Sequence, residues 1–363
     1  MVTKKTIPFL RAVACILPFA LLLPQQARAW GNAGHEAVAY IAWQQMTPAA
    51  RIRAMDLLKI VPTLHSPDGS KSIPGYADWV TDLPAGLSQG QQNLYLFMRA
   101  ATWADSIKHE WLHDTDVAPA GKTVDVHIGF TDTASHGYWH FVDKGFASDA
   151  STVPATPVLN AATQIVALRR FLASNETDLL KAYDLVWLEH LCGDIHQPLH
   201  GVVRYYQSKG DEGGNMVVIK MPLAMEKTFE GTLSKSSPAE LHAFWDDLPG
   251  EGAPAPVLPV AGSFAKGLPN AAGTATTITD PSSWATESFN IATRDGYKAP
   301  IGKGPAPVGA SAYLMTQEYY DGSLQDAKSQ IALAGARLAK LLNDNLGSSG
   351  SGVSGRAAKK TSK

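Results

Sequence analysis

The chain is organised around residues 190–200, which read His-Leu-Cys-Gly-Asp-Ile-His-Gln-Pro-Leu-His. His190 and Asp194 lie four residues apart, so on a helix both side chains leave from one face. Pro198 ends the helix and lets His200 return toward that face from a turn. Two imidazoles and a carboxylate that converge in this way suit zinc. An isolated His-x3-Asp pair is more often a surface hydrogen bond, so a metal site needs further ligands elsewhere in the chain.

Residues 1–29 have the composition of a cleaved export signal. A basic start is followed by an apolar run over 12–23, which is too short to span a membrane comfortably. The run leads to Ala27-Arg28-Ala29, a small-x-small cleavage site. We therefore expect cleavage after Ala29, Trp30 as the mature N-terminus, and a secreted or periplasmic protein.

Charge and cysteine content narrow the class of protein. Removal of four basic residues with residues 1–29 takes the formal net charge from −2 to −6. No global basic field then remains, so any recognition of phosphate must be local. Only Cys192 stays in the mature chain, which excludes an internal disulfide and leaves a metal as an alternative crosslink. The mature chain has no second apolar run that would suggest stable membrane association. The sequence indicates no protein partner, and we expect a monomer.

Hydrophobic periodicity and capping residues predict a mainly helical, all-α fold with one domain over 30–346. Caps mark three starts: Thr47-Pro48, Asp280-Pro281, and the capping box Ser237-Pro238-Ala239-Glu240. The expected helices cover 34–45, 48–60, 94–108, 158–173, 176–194, a short segment from 238, 281–297, and one or two within 312–342. Loops are expected at 61–90, 110–132, 202–218 (a possible hairpin) and 249–270, a short extended segment at 138–143, and a disordered Ser/Gly- and Lys-containing tail at 347–363.

Imidazoles and carboxylates recur on or beside the predicted core faces. Taken alone, each of these histidines is better explained as a core or surface residue. Two His-x3-Asp pairs within the same set make a shared metal site the better explanation. The set consists of His35, Asp105, His140, His190, Asp194, His200, His242 and Asp246.

The motifs resemble those of the S1/P1-type zinc nucleases, which are related to three-zinc bacterial phospholipases C. They are Trp30 after the cleavage site, Trp103-Ala104-Asp105, Trp139-His140-Phe141, residues 190–200, Gly213-Gly214-Asn215, and His242-x3-Asp246. The resemblance runs from Trp30 to about Leu342 and implies a helical phospholipase C/P1 nuclease-like fold with a trinuclear zinc cleft.

The resemblance also implies a ligand set for three Zn²⁺ ions. The first ion would be bound by Asp105, His140, His190 and Asp194. The second would be bound by His35 and by the amine and carbonyl of Trp30, with Asp194 bridging both ions. The third would be bound by His200, His242 and Asp246.

The implied activity is hydrolysis of P–O3′ bonds in single-stranded DNA and RNA to 5′-phosphorylated products, together with 3′-nucleotidase activity. Asp194 and Lys108 would act in catalysis, with Lys108 touching the phosphate as a point charge. Phe141 would stack on a base, while Asp143 and Asn215 would contact base edges. Without the resemblance, core packing explains Phe141 equally well.

Two alternatives are a three-zinc phospholipase C and a non-catalytic zinc-stabilised nucleotide-binding protein. The short spacing from Trp30 to His35, and an aspartate at 246, favour the nuclease over the lipase. Residues beyond the metal ligands, such as Lys108 and Phe141, disfavour a purely structural zinc site.

The segment between His200 and Asn215 is longer than in plant or fungal relatives, and the missing disulfides point to a bacterial protein. We interpret His196 as a residue that supports the metal ligands without binding metal, and Cys192 as a packing residue without a chemical role.

Overall fold

A computed structural model describes residues 30–60, 83–109, 129–131, 134–222, 240–250, 267–268, 271, 273–306 and 308–347. The expected export signal lies outside the described residues. So do most of the predicted loops at 61–90, 110–132 and 249–270, the first three residues of the capping box at 237–240, and the predicted tail after Gly347.

Helices form most of the described chain, which confirms the predicted mainly helical fold. They are α1 (Asn32–Gln45), α2 (Pro48–Leu58), α3 (Gln89–Ala100), α4 (Trp103–Ser106), α5 (Ala161–Leu172), α6 (Asp178–Asp194), α7 (Leu241–Asp247), α8 (Pro281–Ile291) with a π-helical turn (Ala292–Gly296), and α9 (Gln317–Leu346). Within the described ranges, none combines the length and apolar character that a bilayer-crossing helix needs.

Two helices begin where their capping residues predict. Thr47 accepts a hydrogen bond from the Ala50 N–H at 3.2 Å, and Pro48 occupies the first turn of α2. Asp280 accepts from the N–H groups of Ser282 and Ser283 at the start of α8. These side chains satisfy N–H groups that have no partner inside the helix.

The last three turns of α6 run through the interior. Every residue from Ala182 to Asp194 is buried, so the helix is enclosed on all sides rather than along one stripe. Trp187 on α6 lies edge-on to Trp103 and Trp139, with ring centroids 5.9 and 4.8 Å apart. Because large aromatic rings fix their neighbours through extensive contact, this packing holds the carboxyl end of α6 in place.

The helices α1 and α9 cross closely beside α6. A Cβ atom at Gly335 of α9 would lie 2.5 Å from the Cβ of Ile41 on α1, nearer than two carbons can approach. Glycine at this position therefore sets the distance between the two helices. The crossing anchors α1, which carries His35 into the interior.

Two small sheets complete the fold. The first has the order β1 (Lys144–Ala147), β2 (Val202–Tyr206), β3 (Lys209–Gly210), with β1 parallel to β2 and β2 antiparallel to β3. The second pairs β4 (Ile219–Lys220) in parallel with β5 (Tyr313–Leu314). The Val142 N–H donates to the His200 carbonyl at 2.9 Å, so the β1–β2 pairing extends toward residues 140–141 and His200. The possible hairpin within 202–218 is thus present as β2 and β3.

Several predicted boundaries are wrong. The predicted helix at 94–108 is two helices, since α3 begins at Gln89 behind the capping box of Ser88 and Gln91 and ends at Ala100. The segment 138–143 is not extended from its start, because a 3-10 turn occupies Gly137–Trp139.

Two further starts differ from the sequence prediction. The short helix expected from 238 begins at Leu241, because Glu240 is extended and forms an antiparallel bridge with Val218. The helix expected from 158 begins at Ala161, where Asn160 and Thr163 form a capping box. The predicted helix 281–297 keeps its length but changes to a π-helical turn after Ile291.

Candidate metal centre

The carboxyl end of α6 places two polar side chains in the middle of the protein. His190 and Asp194 lie one helical turn apart and are both fully buried. The chain leaves the helix after Asp194, and a 3-10 turn over Pro198–Gly201 brings back His200, which is 1% exposed. Residues 190–200 therefore place all three side chains in one buried region.

A first cluster joins three helices. His35 on α1 stacks on His190 of α6, with ring centroids 4.0 Å apart and 12° between the planes. Nε2 of His190 lies 3.6 Å from Oδ1 of Asp105 on α4. A Cβ atom at Gly193 would come within 2.6 Å of Nδ1 of His35, so the missing side chain at Gly193 makes room for the His35 ring.

A second cluster shares His190 with the first and adds His140 and Asp194. Nδ1 of His140 lies 2.8 Å from Oδ2 of Asp194 and 3.1 Å from Nε2 of His190. The other oxygen of Asp194, Oδ1, lies 3.3 Å from Nε2 of His35. Asp194 therefore turns one carboxylate oxygen toward each of the two clusters.

A third cluster lies between α7 and the turn that carries His200. His242 and Asp246 are one turn apart on α7, with Nε2 and Oδ2 separated by 3.6 Å. Nε2 of His200 lies 3.9 Å from Oδ1 of Asp246. Both distances exceed a hydrogen bond, while the ligand atoms of the cluster still lie within 4.8 Å of one another.

Backbone carbonyls orient three of the imidazoles. Nδ1–H of His190 donates to Ala101 O at 2.8 Å, Nδ1–H of His200 to His140 O at 2.9 Å, and Nδ1–H of His242 to Gly213 O at 2.7 Å. With the proton held on Nδ1, the lone pair lies on Nε2, the nitrogen that faces each cluster. Supports of this kind are typical of metal-binding histidines.

The buried donors fit a metal better than they fit each other. Nε2 of His35, His200 and His242 is buried and has no hydrogen-bond partner among the described residues. An unsatisfied buried nitrogen costs about 1–3 kcal/mol, so three of them need a compensating partner. Imidazole nitrogen and carboxylate oxygen are donors that zinc accepts, and these residues therefore fit zinc.

Burial keeps four of the five imidazoles neutral, whereas burial at His190 is outweighed by Asp194 and Asp105, which raise its pKa. It lowers the pKa of His140 and of His242 to about 3, and that of His200 to about 4. Burial also lowers the pKa of His35, and its neighbour His190 lowers it further. A neutral imidazole offers the lone pair that a metal needs, so these side chains are ready to bind at neutral pH.

The carboxylates differ in their surroundings. Burial raises the pKa of Asp194, but His190 and His140 outweigh that effect and hold it well below its usual value. Burial raises the pKa of Asp246 well above its usual value, and the Gln197 amide opposes this only in part. A negative charge on Asp246 therefore needs a nearby cation, which a metal would supply.

Gln197 belongs to the centre, although the sequence pattern did not single it out. Its side-chain amide donates to Oδ1 of Asp246 at 2.6 Å, and its side-chain oxygen accepts from the Leu199 N–H. It thus links the turn before His200 to α7. Its position directly before Pro198, where an N-cap is needed, was the available signal.

Two residues predicted to contact substrate lie beside the clusters. Nζ of Lys108 is 2.8 Å from Oδ1 of Asp105, next to the first cluster. The Phe141 ring is half-buried, with its centroid 4.7 Å from that of His200 and 6.2 Å from that of His242. Part of this ring therefore stays accessible at the edge of the third cluster.

The other two predicted base contacts are half-buried. Asp143 has a left-handed backbone with φ 55°, which is uncommon outside glycine, and its charge raises the pKa of Tyr205, an effect smaller than that of burial. The Asn215 amide donates to Glu212 O at 2.8 Å, two residues beyond the Gly213 carbonyl that supports His242. Both loops thus reach the surroundings of the third cluster.

Trp30 is fully buried at the start of α1. The Gly31 N–H donates to the Asp246 carbonyl at 3.0 Å, which ties the backbone just after Trp30 to α7. A Cβ atom at Gly34 would lie 2.5 Å from the Cβ of Trp30, so glycine in the first turn of α1 leaves room for the Trp30 side chain. The residue that follows Trp30 is therefore tied to α7, the helix that carries His242 and Asp246.

The mainly helical scaffold carries three buried His/Asp clusters that could hold metal ions, as a metal-binding protein would. The sequence profile of the S1/P1 Nuclease family matches residues 30–347, and the chain belongs to that family. It is similar to Nuclease S1 from Aspergillus oryzae (strain ATCC 42149 / RIB 40), at 25% identity over 341 residues that cover 89% of this chain and 94% of that protein. These findings confirm the resemblance and the prediction of a nuclease.

Proposed function

We propose that the mature protein is a secreted or periplasmic zinc-dependent endonuclease that acts on single-stranded DNA and RNA. It hydrolyses P–O3′ bonds to give 5′-phosphorylated products and removes the phosphate of 3′-nucleotides. One observation carries the proposal: three adjoining clusters of buried imidazole and carboxylate lie beside the partly exposed ring of Phe141.

The proposed ligands of the first zinc are Asp105, His140, His190 and Asp194, and those of the third are His200, His242 and Asp246. Asp194 would also hold the second zinc, because its Oδ1 faces His35 while its Oδ2 faces His140. When bound, the zinc ions act as Lewis acids that activate water and offset the charge of the phosphate.

Donor counting supports Trp30 as the remaining ligand of the second zinc. An imidazole nitrogen has one lone pair, so Nε2 of His190 serves a single ion. The second ion then has only His35 and one oxygen of Asp194, whereas zinc takes about four donors. A free amine and carbonyl on Trp30, one residue from the bond between Gly31 and Asp246, would supply two more.

The charge of the loaded centre favours a phosphodiester. Three divalent ions against the carboxylates of Asp105, Asp194 and Asp246 leave a local charge of about +3, within an otherwise acidic chain. Lys108 adds a further positive charge from its place beside Asp105. Its ammonium group is a compact point charge, suited to a non-bridging phosphate oxygen.

Base stacking supports the preference for single strands. The half-buried Phe141 ring packs against the ring of His200. Stacking accepts any base, because each has a π face, but a duplex hides those faces. Asp143 and Asn215, from loops on either side, are the proposed contacts to base edges.

The test uses protein that begins at Trp30, supplied with zinc. A single-stranded oligonucleotide should be cut much faster than the same sequence in a duplex, and mass spectrometry should find 5′-phosphate ends and release of phosphate from 3′-nucleotides. Chelated protein is the control. Cleavage of phosphatidylcholine vesicles without cleavage of DNA would instead indicate a phospholipase, and binding without cleavage would indicate a binding protein.

A further inference from the structure

Arg204 is a charged side chain buried four residues after His200. It is 2% exposed, and its Nε lies 3.1 Å from Oδ2 of Asp211. The Arg204 N–H donates to Oδ1 of the same carboxylate at 2.9 Å, and the Asp211 N–H donates back to Arg204 O at 3.0 Å. The backbone and side chains of these two residues are thus locked together across the β2–β3 hairpin.

The rest of the guanidinium is also bound. Its two terminal nitrogens donate to the carbonyls of Gly302 and Gly304 at 2.5 and 3.0 Å, and it lies 4.5 Å from the centre of the Tyr297 ring. Burying a charge is costly unless several partners satisfy it. The site around Arg204 therefore fixes the hairpin firmly against the loop that precedes β5.

Asp211 leads directly into a strained turn. Its carbonyl accepts from the N–H groups of Gly214 and Met216, both at 3.1 Å. The three residues that follow Asp211, namely Glu212, Gly213 and Gly214, all have left-handed backbones, with φ of 53°, 62° and 91°. A non-glycine residue in this region is uncommon, and such a turn persists only where its surroundings hold it.

The strained turn supports one of the proposed zinc ligands. Gly213 O accepts from Nδ1–H of His242 at 2.7 Å. A Cβ atom at Gly213 would lie 2.6 Å from Leu199 O, so the turn is wedged between His242 and the segment that carries His200. A small shift of the turn would therefore move the hydrogen bond that aims Nε2 of His242.

We propose that Arg204 is a positioning residue for the third zinc ion, acting with Asp211 to hold the turn that orients His242. The inference rests on the proposed zinc site of His200, His242 and Asp246. It is specific to that site, since the imidazole shared by the other two clusters is held by Ala101 O on a different element.

Arg204→Lys is the informative variant. Lysine keeps the positive charge but has a single terminal nitrogen. It cannot replace the planar guanidinium, which donates to Asp211, Gly302 and Gly304 at the same time. Loss of a residue that supports a metal ligand typically weakens metal binding about 10- to 100-fold. We expect a loss of that size at the third zinc site and unchanged binding at the other two.

The experiment counts zinc per chain by elemental analysis after equilibration at a series of buffered free zinc concentrations. Wild-type protein should hold three ions, and Arg204→Lys two, with the third regained at higher free zinc. Gly213→Ala, which perturbs the turn itself, should show the same selective loss. The exposed Arg294→Lys is the matched control and should retain three.

Ile165→Ala, in the buried core of α5, serves as a control for simple destabilisation. If Arg204→Lys releases all its zinc together, in step with a lowered unfolding temperature as in Ile165→Ala, Arg204 is only structural and the inference is overturned. Three ions bound with wild-type affinity would overturn it as well. Fewer than three ions on the wild type would instead contradict the proposed function and remove the basis of the inference.

Discussion

Asp194 faces three imidazoles of the centre. Its two oxygens face His35 and His140, and Nε2 of His190 lies 3.3 Å from Oδ2. Asparagine would keep the size of the side chain but replace one carboxylate oxygen with an NH2 group, which offers no lone pair to a metal ion. We expect Asp194→Asn to lower nuclease activity more than about 100-fold and to bind fewer zinc ions. Near-normal activity with three bound ions would contradict the bridging role.

Phe141 allows substrate binding to be separated from chemistry. Removing the ring should remove stacking worth about 1–3 kcal/mol per base and leave the metal ligands in place. We expect Phe141→Ala to raise KM for oligonucleotides about 5- to 100-fold, with a smaller change in kcat. Phe141→Tyr keeps an aromatic face and is the control. Equal KM values in steady-state kinetics for Phe141→Ala and the wild type would exclude stacking.

Trp30 can be tested without changing any side chain. An added residue before Trp30 converts its amine into an amide, whose nitrogen has no lone pair to donate. We expect chains that begin one residue earlier to lose at least about tenfold in activity and one zinc of three. The comparison needs N-terminal mass spectrometry to verify each start. Full activity of the extended chain would refute a role of the amine.

At the scale of elements, a buried network joins α6 to α8 and α9. Arg337 of α9 donates to His196 Nε2 at 2.9 Å and forms a two-pronged ion pair with Glu287 of α8. Nδ1–H of His196 donates to Cys192 O at 2.7 Å, and burial lowers the pKa of His196 to about 3, so the ring is neutral and accepts from Arg337. His196 therefore braces the turn between Asp194 and His200, and nothing in its geometry makes it a ligand.

Breaking this network should cost stability. Arg337→Ala leaves His196, Glu287 and Ala275 O without the donors they now have, so we expect the free energy of unfolding to fall by about 2–4 kcal/mol. Urea denaturation of the zinc-loaded protein measures it. Arg294→Ala, which removes an exposed guanidinium, should change the free energy by no more than about 0.5 kcal/mol. Equal values for both variants would show that the network contributes nothing measurable.

Local caps made some helix starts predictable, although the capping boxes at Ser88 and Asn160 were missed. Thr47 and Asp280 each cap the helix that follows, and both starts were predicted correctly. The break after Ala100 was missed because it lies beside a carbonyl that binds His190, a contact across 89 residues. The start of α7 was misplaced for a similar reason, since Glu240 pairs with Val218 from another part of the chain.

At the scale of the whole molecule, Glu36 makes folding depend on pH. Burial raises its pKa to about 7, with Arg99 at 3.3 Å opposing the rise. Between about pH 4.5 and 7 the folded state then binds the extra proton, so stability falls as pH rises through that window. Glu36→Gln lacks this titration. We expect its free energy of unfolding, relative to wild type, to increase by about 2–3 kcal/mol from pH 5 to pH 8.

Denaturation curves at both pH values and fixed zinc concentration provide the measurement for Glu36. Glu318→Gln, in the first turn of α9, is an exposed control and should leave the difference between the two pH values unchanged. A constant offset between Glu36→Gln and wild type would mean that this carboxyl titrates normally in the fold.

The sequence was more informative about the metal donors than about what holds them. The clusters bring together every imidazole and carboxylate that the motifs suggested, because helix spacing already pairs His190 with Asp194 and His242 with Asp246. Gln197, Arg204 and Gly193 were not recognised. Gln197 and Arg204 act through hydrogen bonds and Gly193 acts by leaving space, and each has a partner that is distant in the sequence.

The tether between Gly31 and Asp246 bears on the safety of the cell that makes this nuclease. On the proposed ligand set, a precursor that still carries residues 1–29 has an amide where the second zinc needs an amine. The enzyme would then be latent wherever it is synthesised and would become competent only after export and processing. On the same proposal, messenger RNA in the cytoplasm would be spared, because the expected cleavage after Ala29 would create the final ligand.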